Sequence, residues 1–168
     1  MQLEKEALEK SFTYLATKLN LKDPTLEFKV VDYIKDDLGM HHFRLQQIYQ
    51  DLLVFGQQII VHLTKDCQVR DFTGEYRKDV TSINIEFKIS PSEAILIADK
   101  DSGHLKPNGK VEVELVIYLN PKTDKSVLTQ LVTLPVWHED IPKRLRYFID
   151  AINGEILYHY NDQPITRK

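Results

Sequence analysis

Cysteine is nearly absent: Cys67 is the only one among 168 residues. That excludes an internal disulfide and any cysteine cluster for metal. Its context, Lys65-Asp66-Cys67-Gln68, reads as a turn between strands and assigns it a structural role, since a nucleophilic thiol needs an activating partner. Glycine is sparse, with six residues and no clustered run of the kind that cradles phosphate ahead of a helix; Gly103 and Gly109 stand alone. No apolar run approaches the roughly 18 residues of a membrane span. Neither sign of charge dominates: 22 Lys and Arg against 25 Asp and Glu give a net charge of −3. The basic residues are scattered, which argues against a nucleic-acid partner. The opening residues, Met1-Gln2-Leu3-Glu4-Lys5-Glu6, are charged and amphipathic rather than basic and then apolar. An exported parent is therefore expected to carry its leader outside these residues.

Catalytic signatures are missing as well. A zinc-protease helix needs two histidines four apart with a glutamate beside the first. The nearest approach is His138-Glu139-Asp140-Ile141-Pro142, where proline fills the second histidine position and would also break the helix. There is no Gly-x-Ser-x-Gly elbow. The paired carboxylates Asp36-Asp37 fall in a turn, where such residues accept backbone hydrogen bonds. Of the six histidines, His42 and His62 are expected on neighbouring strands. A metal site there would need a third ligand and an outer shell of hydrogen bonds, so ordinary strand residues are the expectation. The chain is expected to be no enzyme and to hold no cofactor of its own.

What is present is an ordinary folding composition, 42% hydrophobic and 28% charged. Residues 2–20 carry one apolar stripe, Leu3, Ala7, Leu8, Phe12, Leu15 and Leu19, and predict a helix. Period-two patterning predicts strands over 26–34, 43–49, 54–63 and 68–72, joined by short turns into an antiparallel meander. A further strand is expected over Ser82–Ile89. Ser90-Pro91-Ser92-Glu93 predicts a helix start with a capping box, running to about Lys100. Strands over 111–119, 127–136, 145–149 and 155–160 follow, the last two joined through Asn153-Gly154, a strong hairpin signal. Trp137 reads either as a half-exposed anchor for a partner or as a core or edge residue. Residues 161–168 read as a polar tail. The fold class is α+β, with two subdomains, each an antiparallel β-sheet packed with a helix.

Between Asp37 and Leu63 the residues Gly39, His42, Arg44, Gln47, Tyr49, Val54, Phe55, Gly56, Val61 and His62 fall in order and spacing. This segment resembles the fungalysin/thermolysin propeptide motif. Asp51 and Leu53 depart from the glycine and proline usual in its turn. Further on, Arg146-Tyr147-Phe148-Ile149-Asp150-Ala151-Ile152-Asn153-Gly154-Glu155-Ile156-Leu157, after Leu131–Trp137, resembles the end of a PepSY domain.

In that order, the two motifs resemble the prosegment of thermolysin-like secreted zinc metalloproteases. The resemblance implies residues 1–80 as the propeptide-motif subdomain, 81–161 as the PepSY-like subdomain, and 162–168 as a tail near the cleavage junction. It implies an intramolecular chaperone and active-site-blocking inhibitor, partnered by the cognate catalytic domain, which would hold zinc and calcium. Localisation would be secreted or periplasmic. The inhibitory residues implied are Tyr160, Asn161, Asp162, Gln163, Pro164, Ile165, Thr166, Arg167 and Lys168, and the Lys168 carboxylate would approach the partner's zinc if this end is a cleavage product. Gly39, His42, Arg44, Gln47, Tyr49, Val54, Phe55, Gly56, His62, Asp150 and Gly154 would carry the structural motif, with a buried Arg44 in need of a carboxylate or carbonyl. The alternative is a free-standing inhibitor or cell-envelope binding module acting in trans.

Overall fold

The structure is a computed structural model that describes residues 2–162. It is α+β, and the chain divides into two compact units, Met1–Lys78 and Asp79–Lys168.

In the first unit, α1 (Gln2–Leu19) forms where the stripe predicts it. Ala7, Ser11 and Leu15 recur every fourth residue and are fully buried, with Leu8, Phe12 and Leu19 beside them. Ser11 is tolerated there because its Oγ donates to the Ala7 carbonyl at 2.9 Å. Leu3, the first residue of the stripe, is half exposed. Asn20 ends the helix in the left-handed region, φ 55°, and the Leu21 N–H turns back to the Ala16 carbonyl.

Strands β1 (Phe28–Lys35), β2 (His41–Tyr49), β3 (Leu52–Leu63) and β4 (Val69–Gly74) pair antiparallel in sequence order. On β2, Phe43 and Leu45 face the core, and Ile59, Val61 and Leu63 of β3 meet them there. Each such side chain contributes about 1.5–3 kcal/mol by leaving water. His42 and Arg44 point to the opposite face, as period two requires.

The β2–β3 hairpin closes on two residues, Gln50 and Asp51, both at positive φ, 48° and 65°. That is the primed turn which matches strand twist, and it forms here without a glycine. Beyond it the register jumps. Ile48 pairs with Leu53 and Gln46 with Gln58, so Val54–Gln57 bulge opposite Gln47. Gly56 turns the bulge at φ +75°.

Lys78–Ser82, which begins at the last residue of the first unit, is a short 3-10 helix, and in the second unit the strand predicted over Ser82–Ile89 does not form. Its amides are spent otherwise: Glu86 N–H donates to the Asn84 side chain, and Lys88 and Ile89 both donate to the Ala151 carbonyl. Helix α2 (Pro91–Asp101) has the predicted capping box. Glu93 N–H donates to Ser90 Oγ, and Ser90 N–H donates to Glu93 Oε2 at 2.8 Å.

β5 (Lys106–Pro107), too short for its pattern to be read, pairs with β7. β6 (Glu112–Asn120), β7 (Lys125–His138), β8 (Ile141–Asp150) and β9 (Ile156–Asn161) form an antiparallel run. Val132, Tyr147 and Ile149 pack with Ala94 and Ala98 of α2. The two-residue turn of this unit is Glu139-Asp140, at φ 51° and 61°. Asn153-Gly154 is not one: only Gly154 has positive φ, and the link from β8 to β9 spans residues 151–155. Trp137 lies half-buried on β7 opposite Pro142.

Candidate functional site

The motif residues of the first unit gather around the β2–β3 pair, and each does identifiable local work. Gly39 closes the β1–β2 turn at φ +77°. Asp36 organises that turn: its Oδ1 accepts from Leu38 N–H at 2.9 Å and Met40 N–H at 2.8 Å, while its Oδ2 lies 3.1 Å from His42 Nε2. The bond to His42, with the two amides, holds the Asp36 carboxyl below its ordinary range.

His42 and His62 face each other across β2 and β3, with Nδ1 atoms 2.8 Å apart. The outer nitrogen of His62 lies 3.1 Å from Thr73 Oγ1. With Asp32, Ile34, Arg44 and Ile60 the two imidazoles line a pocket of about 170 Å³. Arg44 is exposed rather than buried, opposite Asp32 in register, because it sits on the face away from α1.

Gln47 is fully buried and acts as a two-point clamp. Its Nε2 donates to the Arg77 carbonyl at 2.8 Å, and its Oε1 accepts from Arg77 N–H at 2.9 Å. This fastens the segment after β4 to the middle of the sheet. Its neighbour Gln46, which the motif does not single out, fills the bulge: Nε2 donates to the carbonyls of Val54 at 2.7 Å and Gln57 at 2.9 Å. A glutamine directly before the motif glutamine was the available signal. Val54 is buried, Phe55 is half-buried, and Tyr49 accepts from Gln50 Nε2. Cys67 is buried at φ 57°, with Sγ 3.8 Å from His41 Nε2. That His41 is in turn held by the Tyr33 hydroxyl at 2.7 Å.

In the second unit, Asp150 and Gly154 shape the turn into β9. Asp150 Oδ1 accepts from Ile152 N–H at 2.8 Å and Asn153 N–H at 3.2 Å. Gly154 needs both its positive φ of +78° and its missing side chain, since a Cβ would come within 3.1 Å of Ile97 on α2.

Tyr160, expected to end a strand, and Asn161, expected to start the tail, both belong to β9, paired with Arg146 and Leu145. Asn161 Oδ1 accepts from Arg144 N–H at 3.0 Å, and Asp162 N–H donates to the Arg144 carbonyl at 2.7 Å. The Asp162 carboxylate lies 3.4 Å from Arg144 Nη1 and 3.5 Å from Arg146 Nη1. Gln163, Pro164, Ile165, Thr166, Arg167 and Lys168, with the carboxylate expected near a partner's zinc, lie outside the described residues. Tyr158 on β9 is 47% exposed and stacks against Tyr160, which stacks in turn on Phe148.

Among the described residues no group of three or more His, Cys, Asp or Glu side chains is arranged to hold a metal ion. No helix among them is long and apolar enough to cross a membrane.

Residues 27–76 match the Fungalysin/Thermolysin Propeptide Motif. The chain is 30% identical to a bacillolysin of Brevibacillus brevis over 141 residues, which is 80% of this chain and 27% of that protein. It is 29% identical to neutral protease B of Bacillus subtilis (strain 168) over 168 aligned positions, covering 94% of this chain and 30% of that protein. The C-terminal domain of Bacillus megaterium YpeB is similar at 18% identity and a TM-score of 0.47, covering 95% of this chain and 65% of that one. The chain thus spans under a third of the length of these curated relatives. The motif over β1 to β4, and a stretch shared with part of the bacillolysins, support a thermolysin-like propeptide.

Proposed function

We propose that this chain is the cleavable prosegment of a thermolysin-like zinc metalloprotease, acting on it as intramolecular chaperone and active-site-blocking inhibitor. The observation that carries the reading is the propeptide motif at residues 27–76, within a similarity to bacillolysins that covers most of this chain but only a fraction of theirs. Residues 1–80 form the propeptide-motif subdomain and 81–161 a PepSY-like one, each a helix on an antiparallel sheet, with 162–168 as the tail near the cleavage junction. The partner is the catalytic domain, which holds the zinc and calcium; the assembly is secreted or periplasmic.

Two features of the second unit support the reading. β9 is an edge strand carrying exposed Tyr158, so it offers both backbone pairing and an aromatic anchor to a partner. Asp162 is held by Arg144 and Arg146, which pins the chain just past the end of β9. Inhibition is then steric, with the tail lying in the cleft and excluding substrate. Chaperoning follows from mass action: a segment that binds the native catalytic domain and not its misfolded forms stabilises the native one.

The test is refolding. Denatured catalytic domain is renatured with and without the full chain, and recovered peptidase activity is compared. Higher recovery with the chain is expected; equal recovery removes the chaperone role.

A further inference from the structure

We propose that His42 and His62 form a two-histidine chelate for a late first-row divalent transition ion, of the copper(II) or nickel(II) kind, on the face of the first sheet away from α1. The two residues are register partners on adjacent strands, and their Nδ1 atoms stand 2.8 Å apart. With metal–imidazole bonds of about 2.0 Å, that separation subtends roughly 90° at a shared ion. Neighbouring positions of square-planar or octahedral coordination are 90° apart, whereas a tetrahedral ion prefers a wider angle.

The outer nitrogens are already arranged as a metal-binding histidine requires. His42 Nε2 faces the Asp36 carboxylate at 3.1 Å, an acceptor only, so that nitrogen carries its proton and Nδ1 is left with a lone pair. His62 Nε2 faces Thr73 Oγ1 at 3.1 Å, and a hydroxyl can either donate or accept. Without an ion, His62 Nδ1–H donates to His42 Nδ1 and Thr73 donates to His62 Nε2. With an ion, the His62 proton moves to Nε2 and is given to Thr73. Both inner lone pairs then point at the ion, with no net change in bound protons. A small rotation of each ring takes the nitrogens from facing each other to converging on a common point.

The surroundings suit a hydrated cation. The pocket of about 170 Å³ has room for the waters that would complete the coordination. Asp32, Asp36 and Asp71, the register partner of His62, offset the single positive charge of Arg44. Two protein ligands fall short of a structural metal cage, so the site is an exchangeable one that staples β2 to β3 when loaded.

The experiment uses the full chain, isotope-labelled, at neutral pH with substoichiometric copper(II). The imidazole signals of His42 and His62 are expected to broaden first, ahead of His104, His138 and His159. Calorimetry should give one ion per chain. H42Q and H62Q should each weaken binding about tenfold or more, D36N less, and H159Q not at all. Broadening that begins elsewhere, at the chain terminus included, overturns the proposal without need of any variant. So does copper binding unchanged in both H42Q and H62Q.

Discussion

Gln47→Ala isolates the contribution of one motif residue to the first unit. The substitution removes two hydrogen bonds, of 2.8 and 2.9 Å, that tie the Arg77 backbone to the sheet. Each net bond is worth about 1 kcal/mol, and each polar group left without its partner in a part-buried setting costs about 1–3 kcal/mol. Some water reaches the Arg77 backbone once the amide is gone, so the expected loss is about 2–3 kcal/mol rather than the full sum. At roughly 1–2 kcal/mol per molar urea, the midpoint of unfolding followed by circular dichroism should fall by more than about 1 M with little change in slope. Gln47→Glu sharpens the test. It keeps an acceptor for Arg77 N–H but sets a second carboxylate oxygen against the Arg77 carbonyl in a buried place, so it should be worse than alanine. A loss under about 0.5 kcal/mol for alanine, or glutamate milder than alanine, would refute the reasoning.

Gly154→Ala should cost about 1.5–3 kcal/mol, because alanine at that positive φ is strained and its Cβ presses on Ile97; a thermal melt that does not shift contradicts this. Replacing Gln50-Asp51 by Asn-Gly should stabilise the hairpin by about 1 kcal/mol, since both positions have positive φ, with urea unfolding as the readout. Tyr147, buried beside α2, has its hydroxyl pushed up to about 12 by burial and then by the nearby Asp101 carboxylate. The stability this neutral phenol confers is complete below its unfolded value near 10 and is lost as pH rises from there towards 12. Tyr147→Phe should flatten that alkaline loss in denaturant titrations, and an unchanged slope would count against the assignment.

The legible parts of this fold are those in which local pattern and tertiary demand agree. The α1 stripe, the Ser90 capping box and the alternation on the first half of β2 each point one way, and each forms. Ser82–Ile89 shows the opposite case. Its alternation fits a strand, yet its amides find partners in Asn84 and in a distant carbonyl, which the segment's own residues cannot reveal. Asn153-Gly154 carries a strong two-residue turn signal, but Asp150 caps a longer turn there. Gln50-Asp51 and Glu139-Asp140 adopt primed turns with no glycine to announce them. At the candidate site, the spacing of His42 and His62 anticipates neighbouring strands. The bulge that pulls Gln46 inward does not show in any spacing, because an added loop of backbone leaves no periodic trace.

Inhibition in trans is the most direct measurement of the central claim. Purified full chain is added to the mature catalytic domain of its own precursor, and hydrolysis of a small peptide substrate is followed. The rate should fall with increasing chain, and removal of residues 163–168 should weaken the effect while leaving the fold intact by circular dichroism. An unchanged hydrolysis rate at high excess of the full chain would contradict the account.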